Sequence, residues 1–266
     1  MPACLAMFVK FRIGVFVLGT IACCHAATRE EHFDREPENW EGINHRNKTF
    51  EPRTVVQEFG YSAATNHAGG ERGEVGGRIN PAAEPAFYGY RLAYPLTLDS
   101  PMSAEGKLMV PAGGSHCLLG FFNANTIDGW RTPNTLVARI NGRGDVFHCH
   151  LEYCTNRWRA EAGVVGEIVR GERITAAEIP SGKVHLWKMS YDPKGAEGRG
   201  LFSLLVDGVP ARCEIVPDHR SDGITVTHFG FLPVMKAWDS PGEIWIDDVT
   251  INGVSQDFTN DPGWHE

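Results

Sequence analysis

The stretch VHLWKMSYDPKGAEGRGLFSLLVDG, residues 184–208, predicts two β-strands and the turn that joins them. Strand-like runs occupy Val184–Asp192 and Gly200–Val206, and the residues Asp192–Gly195 between them have the composition of a tight turn. The dipeptide Asp207-Gly208, which closes the second run, is typical of a hairpin between antiparallel strands. The stretch therefore predicts neighbouring antiparallel strands.

Strand-like runs and turn residues continue along most of the chain. Asn141–Gly144 and Asn252-Gly253 are further turn signals, and helical periodicity is nearly absent apart from about one turn at Arg173–Glu178. The 30 Gly and 16 Pro favour an all-β protein with many turns. Further strands are predicted at Thr54–Tyr61, Glu74–Ile79, Phe87–Leu92, Met102–Val110, His116–Asn123, Asn134–Asn141, Asp145–Cys154, Ile224–Leu232 and Glu243–Ile251. Regular strands between Gly- and Asp-rich turns predict a two-sheet sandwich.

Four segments carry a resemblance to a known superfamily. VHLWKMSYDP (184–193), GLFSLLVDG (200–208), HFGFL (228–232) and EIWIDDVTING (243–253) follow one another in an order similar to that of the concanavalin A-like lectin/glucanase superfamily, including its laminin-G-like members. The resemblance covers residues 100–255 and identifies no subfamily. It implies an all-β, two-sheet antiparallel jelly-roll sandwich whose concave face often binds or cleaves polysaccharide.

Composition excludes two classes of partner. The chain of 266 residues, with 42% hydrophobic residues, is long enough for one large domain with a well-formed core. Its 33 acidic residues outnumber its 25 Lys and Arg, and no run of basic residues is present. We therefore expect neither a nucleic-acid partner nor electrostatic attachment to anionic membranes.

The N-terminus reads as a secretory signal. Lys10 and Arg12 precede an apolar core, Ile13–Cys24, that is too short for a comfortable membrane span. We predict a signal peptide at residues 1–26, a short linker at 27–32 and a single sandwich domain at 33–266. The protein is expected to be secreted, to the periplasm, the cell surface or the medium, without integral membrane association. A lipoprotein anchored through Cys23 is the alternative.

Four cysteines remain outside the predicted signal: Cys117, Cys149, Cys154 and Cys213. In an exported chain they permit two disulfides with three possible connectivities. None of their spacings is a C-x-x-C pair, which argues against a zinc ribbon. Free buried thiols are the alternative, because a domain of this size does not need disulfides.

The stretch DVFHCHLEYCTNRWR, residues 145–159, contains the strongest candidate for a site. If it forms a strand, His148, His150 and Glu152 point to one face, and Phe147, Cys149, Leu151 and Tyr153 point to the other. The second face suits a core. The first is expected to line a groove, where three ionisable groups in a row are candidates for catalysis.

Glucanases of the similar superfamily carry their carboxylates on one strand as Glu-x-Asp-x-x-Glu or Glu-x-Asp-x-Glu, and this sequence has no such run. Asp247 and Asp248 are adjacent, so strand alternation is expected to turn them to opposite faces. A polysaccharide lyase instead needs a His or Tyr base and acid, and Arg, Asn or Gln to neutralise a uronate carboxylate. His67 and Tyr61 complete the catalytic candidates on that basis. The candidates for substrate binding are Arg46, Gln57, Arg78, Trp130, Arg131, Asn134, Arg157 and Trp158.

No cofactor is predicted to be required, although two metal sites are conceivable. His148 and His150 are spaced so that both imidazoles face one side of a strand, with Glu152 as a third ligand, yet nothing marks the remaining ligands. The superfamily resemblance implies that Asp247 or Asp248 helps to hold a structural Ca²⁺.

The sequence favours a secreted carbohydrate-active protein that cleaves a glycosidic bond of a polysaccharide, as a lyase or a glycoside hydrolase, in the concave groove of the sandwich. The density of His, Arg, Tyr and Glu on the predicted groove strands favours cleavage over binding alone. The alternative is a non-catalytic carbohydrate-binding or laminin-G-like adhesion module. A structural envelope protein without a sugar ligand is a third hypothesis.

Overall fold

The computed structural model describes residues 29–43, 56–81, 85–127, 132–165, 177–233 and 241–256. The predicted signal peptide, residues 1–26, lies outside these ranges. The first strands along the chain are β1 Arg29–Glu31, β2 Trp40–Ile43, β3 Glu58–Ser62, β4 Glu74–Ile79, β5 Phe87–Thr97, β6 Met102–Met109, β7 Gly113–Phe122, β8 Thr135–Gly144 and β9 Val146–Cys154. They are followed by β10 Ala160–Val164, β11 Ile179–Pro180, β12 Val184–Asp192, β13 Leu201–Val206, β14 Val209–Glu214, β15 Thr225–Pro233, β16 Gly242–Ile251 and β17 Val254–Gln256. A 3₁₀ turn at Ala124–Thr126 and a short helix, α1 (Pro217–Arg220), are the helical elements of the described ranges.

The strands form two sheets. Sheet I has the order β1-β17-β16-β6-β12-β13-β14, with β4 paired to β16 and β3 paired to β4. Sheet II has the order β10-β9-β8-β7-β15-β5-β2, with β11 paired to β9. The pairing of β1 with β17 is parallel, whereas the long neighbouring strands pair antiparallel. These two sheets are the all-β antiparallel jelly-roll sandwich that the sequence predicted.

Strand alternation builds the core between the sheets. Phe121, Phe229 and Phe231 of sheet II are fully buried in the same apolar cluster as Trp187 and Phe202 of sheet I. The Trp187 and Phe229 rings stack across the sheets at 5.9 Å between centroids. The side of each sheet that faces away from this core is called its outer face below.

The predicted strands all overlap observed ones, and Glu74–Ile79 and Val184–Asp192 have the predicted bounds. The strands that were not predicted are short or lie at edges: β1, β2, β10, β11, β14 and β17. One of them lies in the predicted linker at 27–32, where Arg29–Glu31 pairs with Val249–Ile251 of β16. This part of the linker belongs to sheet I.

Three glycines lie side by side across the middle of sheet II. Gly89, Gly230 and Gly120 are register partners on β5, β15 and β7. A Cβ on Gly230 would lie 2.2 Å from the carbonyl oxygen of Tyr88, and one on Gly120 would lie 2.4 Å from that of Leu136. The three strands therefore approach too closely at this row for any side chain, which explains glycine at each position.

The four cysteines Cys117, Cys149, Cys154 and Cys213 are free and buried. The disulfides predicted from their number do not form, and the alternative of buried thiols is correct. Cys117 on β7 and Cys149 on β9 are both register partners of Ile140 on β8, so the strand β8 lies between the two cysteines. Burial raises the pKa of Cys149 to about 12, so its thiol stays protonated at neutral pH.

Trp40 is expected to be one of the strongest single contributors to stability. Its side chain is fully buried, and its ring lies 5.4 Å from that of Phe33 and 5.6 Å from that of Tyr88. Trp40→Ala is expected to lower the free energy of unfolding by about 3–5 kcal/mol, because it leaves a large cavity. Urea denaturation measures this change. The control is Trp158→Ala, since Trp158 is 42% exposed; similar losses for both variants would contradict the prediction.

Candidate functional site

Strand β9 places three ionisable side chains on the outer face of sheet II. His148, His150 and Glu152 are partly exposed and alternate with core residues that are buried. The Nδ1 of His148 donates to the carbonyl oxygen of Ala177 at 3.2 Å. The shared face of the three side chains is therefore as the alternation predicted, and their catalytic role remains a prediction.

The neighbouring strands add two residues that the sequence did not single out. Arg139 on β8 lies opposite His150 in the register, and its Nε and Nη2 donate to the two carboxylate oxygens of Glu152 at 3.0 and 2.9 Å. Its Nη1 lies 3.1 Å from the Nε2 of His116 on β7. His116, Arg139, His148, His150 and Glu152 are called the polar cluster below.

The electrostatics of the polar cluster favour a neutral imidazole. Burial lowers the pKa of His150, and the charges of Arg139 and His148 lower it further, while Glu152 opposes them. The Glu152 side chain is 13% exposed and pairs in a bidentate manner with Arg139. His150 is therefore able to accept a proton at neutral pH, beside a fixed guanidinium.

An apolar strip crosses the outer face of sheet II next to the polar cluster. It consists of Phe87, Leu118, Phe122, Val137 and Leu232, all buried. Leu232 lies opposite Leu118, and Leu118 lies opposite Arg139. The strip therefore leads from the polar cluster on β7–β9 to strands β15, β5 and β2.

Two of the catalytic candidates lie on sheet I and not with the polar cluster. His67 stacks on Trp245 of β16 at 4.4 Å between ring centroids, and its Nδ1 contacts the buried carboxylate of Glu74 at 2.6 Å. Tyr61 on β3 packs against the main core. The structure therefore does not place His67 or Tyr61 in one site with His150. The sequence could not reveal this, because strand patterns do not say which sheet a strand joins.

Three of the substrate-binding candidates are also away from the polar cluster. Gln57 is 3% exposed, and its side-chain amide bonds the backbone of Asn80 in both directions at 2.6 and 2.9 Å. Arg78 on β4 of sheet I donates from Nε to the Oδ1 of Asn80 at 3.2 Å. Asn134 is 2% exposed and accepts from the backbone N–H of Thr225 at 3.0 Å. Gln57 and Asn134 are thus buried and bonded to backbone groups, and their role in substrate binding stays a prediction.

The remaining binding candidates are exposed or lie outside the described ranges. Arg157 and Trp158 follow β9 directly, with 78% of the Arg157 side chain and 42% of Trp158 exposed. Both are accessible at the end of sheet II, where a role in binding stays a prediction. Arg46, Trp130 and Arg131 lie outside the described residues.

Asp247 and Asp248 share the outer face of sheet I, contrary to the expected alternation. Asp248 has a φ of 49°, which shifts the alternation of side chains within β16, and its carboxylate forms ion pairs with Lys107 and His32. Burial raises the pKa of Asp247 to about 9. Within the described ranges, no three His, Cys, Asp or Glu side chains are grouped so as to hold a metal ion. A carboxylate already paired with an ammonium and an imidazole does not fit the donor set that Ca²⁺ prefers.

No family model matches the chain, and no curated protein matches it. Among solved structures, the endo-β-1,4-glucuronan lyase of the fungus Trichoderma reesei is similar at 11% identity, with a TM-score of 0.47, over 87% of this chain and 95% of that chain. The globular domain of T. cruzi calreticulin is similar at 15% identity, with a TM-score of 0.46, over 83% of this chain and 86% of that chain. The cellulose-induced protein Cip1 is similar at 11% identity, with a TM-score of 0.46, over 81% and 91%.

Proposed function

We propose that the outer face of sheet II binds an acidic polysaccharide and that the polar cluster cleaves it by β-elimination. The observation that carries the proposal is His150, half-buried with a lowered pKa, opposite Arg139 on the neighbouring strand. A neutral imidazole is a competent base, and an adjacent guanidinium stabilises negative charge on a uronate carboxylate.

In the proposed reaction, His150 removes the proton on the uronate carbon next to the carboxylate. The electron pair of that C–H bond forms a C=C bond, and the bond from the adjacent carbon to the glycosidic oxygen breaks. The leaving oxygen takes up a proton, so the products are a new reducing end and an unsaturated uronate. Arg139 stabilises the carboxylate while negative charge develops on it.

The charge of this face fits an acidic ligand. Although the whole chain carries a formal charge of −8, strand alternation places Arg91, Arg139 and Arg143 on the outer face, against Glu41 and Glu152 there. Another acidic residue of these strands, Glu161 on β10, lies in register with Tyr153, whose ring is in the core. Arg91 is paired with Glu41 and Arg139 with Glu152, so Arg143 supplies the surplus positive charge that attracts a polyanion.

The spacing of the two carboxylates disfavours the hydrolase alternative. Glu152 lies on β9 and Glu41 on β2, which are five strand spacings apart in sheet II, about 24 Å. Glycoside hydrolases need two carboxyl groups about 5–9.5 Å apart. Glu152 and Glu41 therefore cannot serve as the acid and the nucleophile of one glycosidase.

The alternative function is non-catalytic carbohydrate binding. The bidentate pair of Arg139 with Glu152 favours it, since both groups already satisfy each other. Export to the periplasm, the cell surface or the medium is part of either proposal. In the described part of the chain, no helix is long and apolar enough to cross a membrane.

The test is incubation of the purified protein with polyuronates and with neutral polysaccharides. We expect ultraviolet absorbance from unsaturated uronate, with matching new reducing ends, on polyuronates only. Reducing ends without unsaturation would instead identify a hydrolase. Retarded migration in a polysaccharide gel without any product would leave only the binding alternative.

A further inference from the structure

A pocket of about 540 Å³ opens on the outer face of sheet II, at the opposite end from the polar cluster. It lies between strands β2, β5 and β15 and includes Glu41, Phe87, Arg91, Tyr94, Thr227 and His228 in its lining. None of these residues was predicted to belong to a site. The lining combines paired charges, a buried imidazole and apolar ring surface.

His228 has one ring nitrogen engaged and one without a partner. Its Nδ1 lies 2.8 Å from the Oγ1 of Thr227, and this oxygen also accepts from the backbone N–H of Ala124 at 3.1 Å. The Thr227 hydroxyl proton is therefore available to Nδ1, which leaves Nε2 as an N–H donor. Among the described residues Nε2 has no hydrogen-bond partner, and only 4% of the His228 side chain is exposed to solvent. A buried N–H donor without an acceptor destabilises the fold, and a ligand that supplies the acceptor removes this cost.

Glu41 lies close to that donor without forming a hydrogen bond to it, so both groups face the same side of the pocket. Its Oε2 lies 3.6 Å from the Nε2 of His228, too far for a hydrogen bond. The Nη2 of Arg91 holds the same oxygen at 2.9 Å, so the carboxylate is fixed in place and its charge is balanced. A hydroxyl placed beside both groups accepts from Nε2 and donates to Glu41.

The charge state of the pocket selects a neutral ligand. Burial lowers the pKa of His228 to about 4, although Glu41 opposes this shift, so the imidazole is neutral at neutral pH. Arg91 and Glu41 cancel each other. Tyr94 is 48% exposed and offers the kind of aromatic surface against which the apolar face of a sugar ring packs.

We propose that this pocket is a binding site for one neutral, hydroxyl-rich sugar unit, held by a hydroxyl between His228 and Glu41. It is separate from the polar cluster, because His228 lies in register with Phe122 on β7, six residues along that strand from His116, about 20 Å, with the apolar strip between them. The site goes beyond the proposed cleavage of polyuronates and does not depend on it.

Saturation-transfer NMR on the full chain tests the site, with the methyl glycosides of glucose, galactose, mannose and xylose as probes. We expect transfer to at least one of these neutral glycosides. Glu41→Ala is expected to weaken its binding about ten-fold or more, because the hydroxyl loses a charged acceptor. The matched control is Glu105→Ala: Glu105 is 46% exposed and pairs with Lys188 on sheet I, much as the 41% exposed Glu41 pairs with Arg91.

Tyr94→Ala is a second variant, whose exposed position leaves the fold unaffected, and it is also expected to weaken binding. His150→Ala is expected to leave glycoside binding unchanged, which separates this site from the proposed catalytic cluster. The proposal is overturned if no neutral glycoside shows transfer, if only glucuronate does, or if Glu41→Ala binds as tightly as the unaltered protein.

Discussion

Replacing His150 with alanine is expected to lower the rate of polyuronate cleavage by about 10²–10⁴-fold, the usual contribution of a general base. His150 is the member of the polar cluster for which burial and the Arg139 charge favour the neutral, proton-accepting form. The initial rate of ultraviolet absorbance increase measures the loss. Because His150 is only half-buried, we expect urea denaturation curves of the variant to resemble those of the unaltered protein.

His67→Ala is the matched control for this prediction. His67 is also a partly exposed imidazole that contacts a carboxylate, but it lies in the loop between β3 and β4 and stacks on Trp245 of sheet I, so its removal is expected to leave the rate unchanged. If instead His67→Ala abolished cleavage and His150→Ala did not, the site would lie on sheet I. The pH profile adds a second readout: since the pKa of His150 is lowered from 6.5, activity should persist at pH 6.5 and fall only in more acidic solution.

Asp247→Asn is expected to stabilise the protein by about 3 kcal/mol or more near pH 8. Asp247 is 1% exposed, and burial raises the pKa of its carboxyl to about 9. Ionised Asp is favoured in the unfolded chain at this pH, whereas the folded chain holds the neutral acid. An amide is neutral in both states and can still accept from the backbone N–H of Asp248, as the Oδ1 of Asp247 does at 2.7 Å.

The sign of the pH dependence follows from the raised pKa. Between the ordinary value of 3.8 and about 9 the folded state binds more protons at Asp247 than the unfolded state does, so this residue makes stability fall as pH rises. His228 acts in the opposite direction between about 4 and 6.5, since its pKa is lowered. Above pH 6.5, His228 no longer offsets the loss of stability that Asp247 causes as the pH rises.

Urea denaturation at several pH values between 7 and 9 measures this dependence. The unaltered protein should lose stability over that range relative to the Asp247→Asn variant. Asp248→Asn is the control: it removes the ion pairs with Lys107 and His32 and is expected to destabilise. Equal stability of the Asp247→Asn variant and the unaltered protein at every pH would show that Asp247 is ionised in the fold.

The sequence predicted the long strands because each has enough residues for its pattern to be read. Val184–Asp192 has nine residues that end at a Pro-containing turn, and its bounds match. Arg29–Glu31 has three residues, too few for any periodicity, and only its pairing with β16 makes it a strand. β14 contains Pro210, a residue that argues against a strand unless it lies at an edge, as β14 does.

The sequence predicted the residues of the polar cluster that lie on one strand, but not those that neighbouring strands contribute. Alternation within β9 placed His148, His150 and Glu152 together without knowledge of any other strand. Arg139 and His116 joined them through register between strands, which a single sequence does not specify. His228 and Glu41 were missed for the same reason, since they meet across β5, with Arg91 between them.

A local pattern alone does not place these polar side chains. Asp247 and Asp248 were expected on opposite faces, but the positive φ of Asp248 shifts the alternation by one residue. Gln57 and Asn134 were predicted to bind substrate because an amide can neutralise a uronate carboxylate, and in the structure each is buried and bonded to backbone groups. Polar side chains with such a role are indistinguishable from ligands until their surroundings are known.

The four buried thiols give the sandwich independence from its redox surroundings. Cys117, Cys149, Cys154 and Cys213 remain unpaired in the finished fold, so closing the sheets consumes no oxidant. Burial also raises the pKa of Cys213 to about 12, which leaves few thiolates for exchange with small disulfides. The same structure is accordingly attainable under reducing and under oxidising conditions.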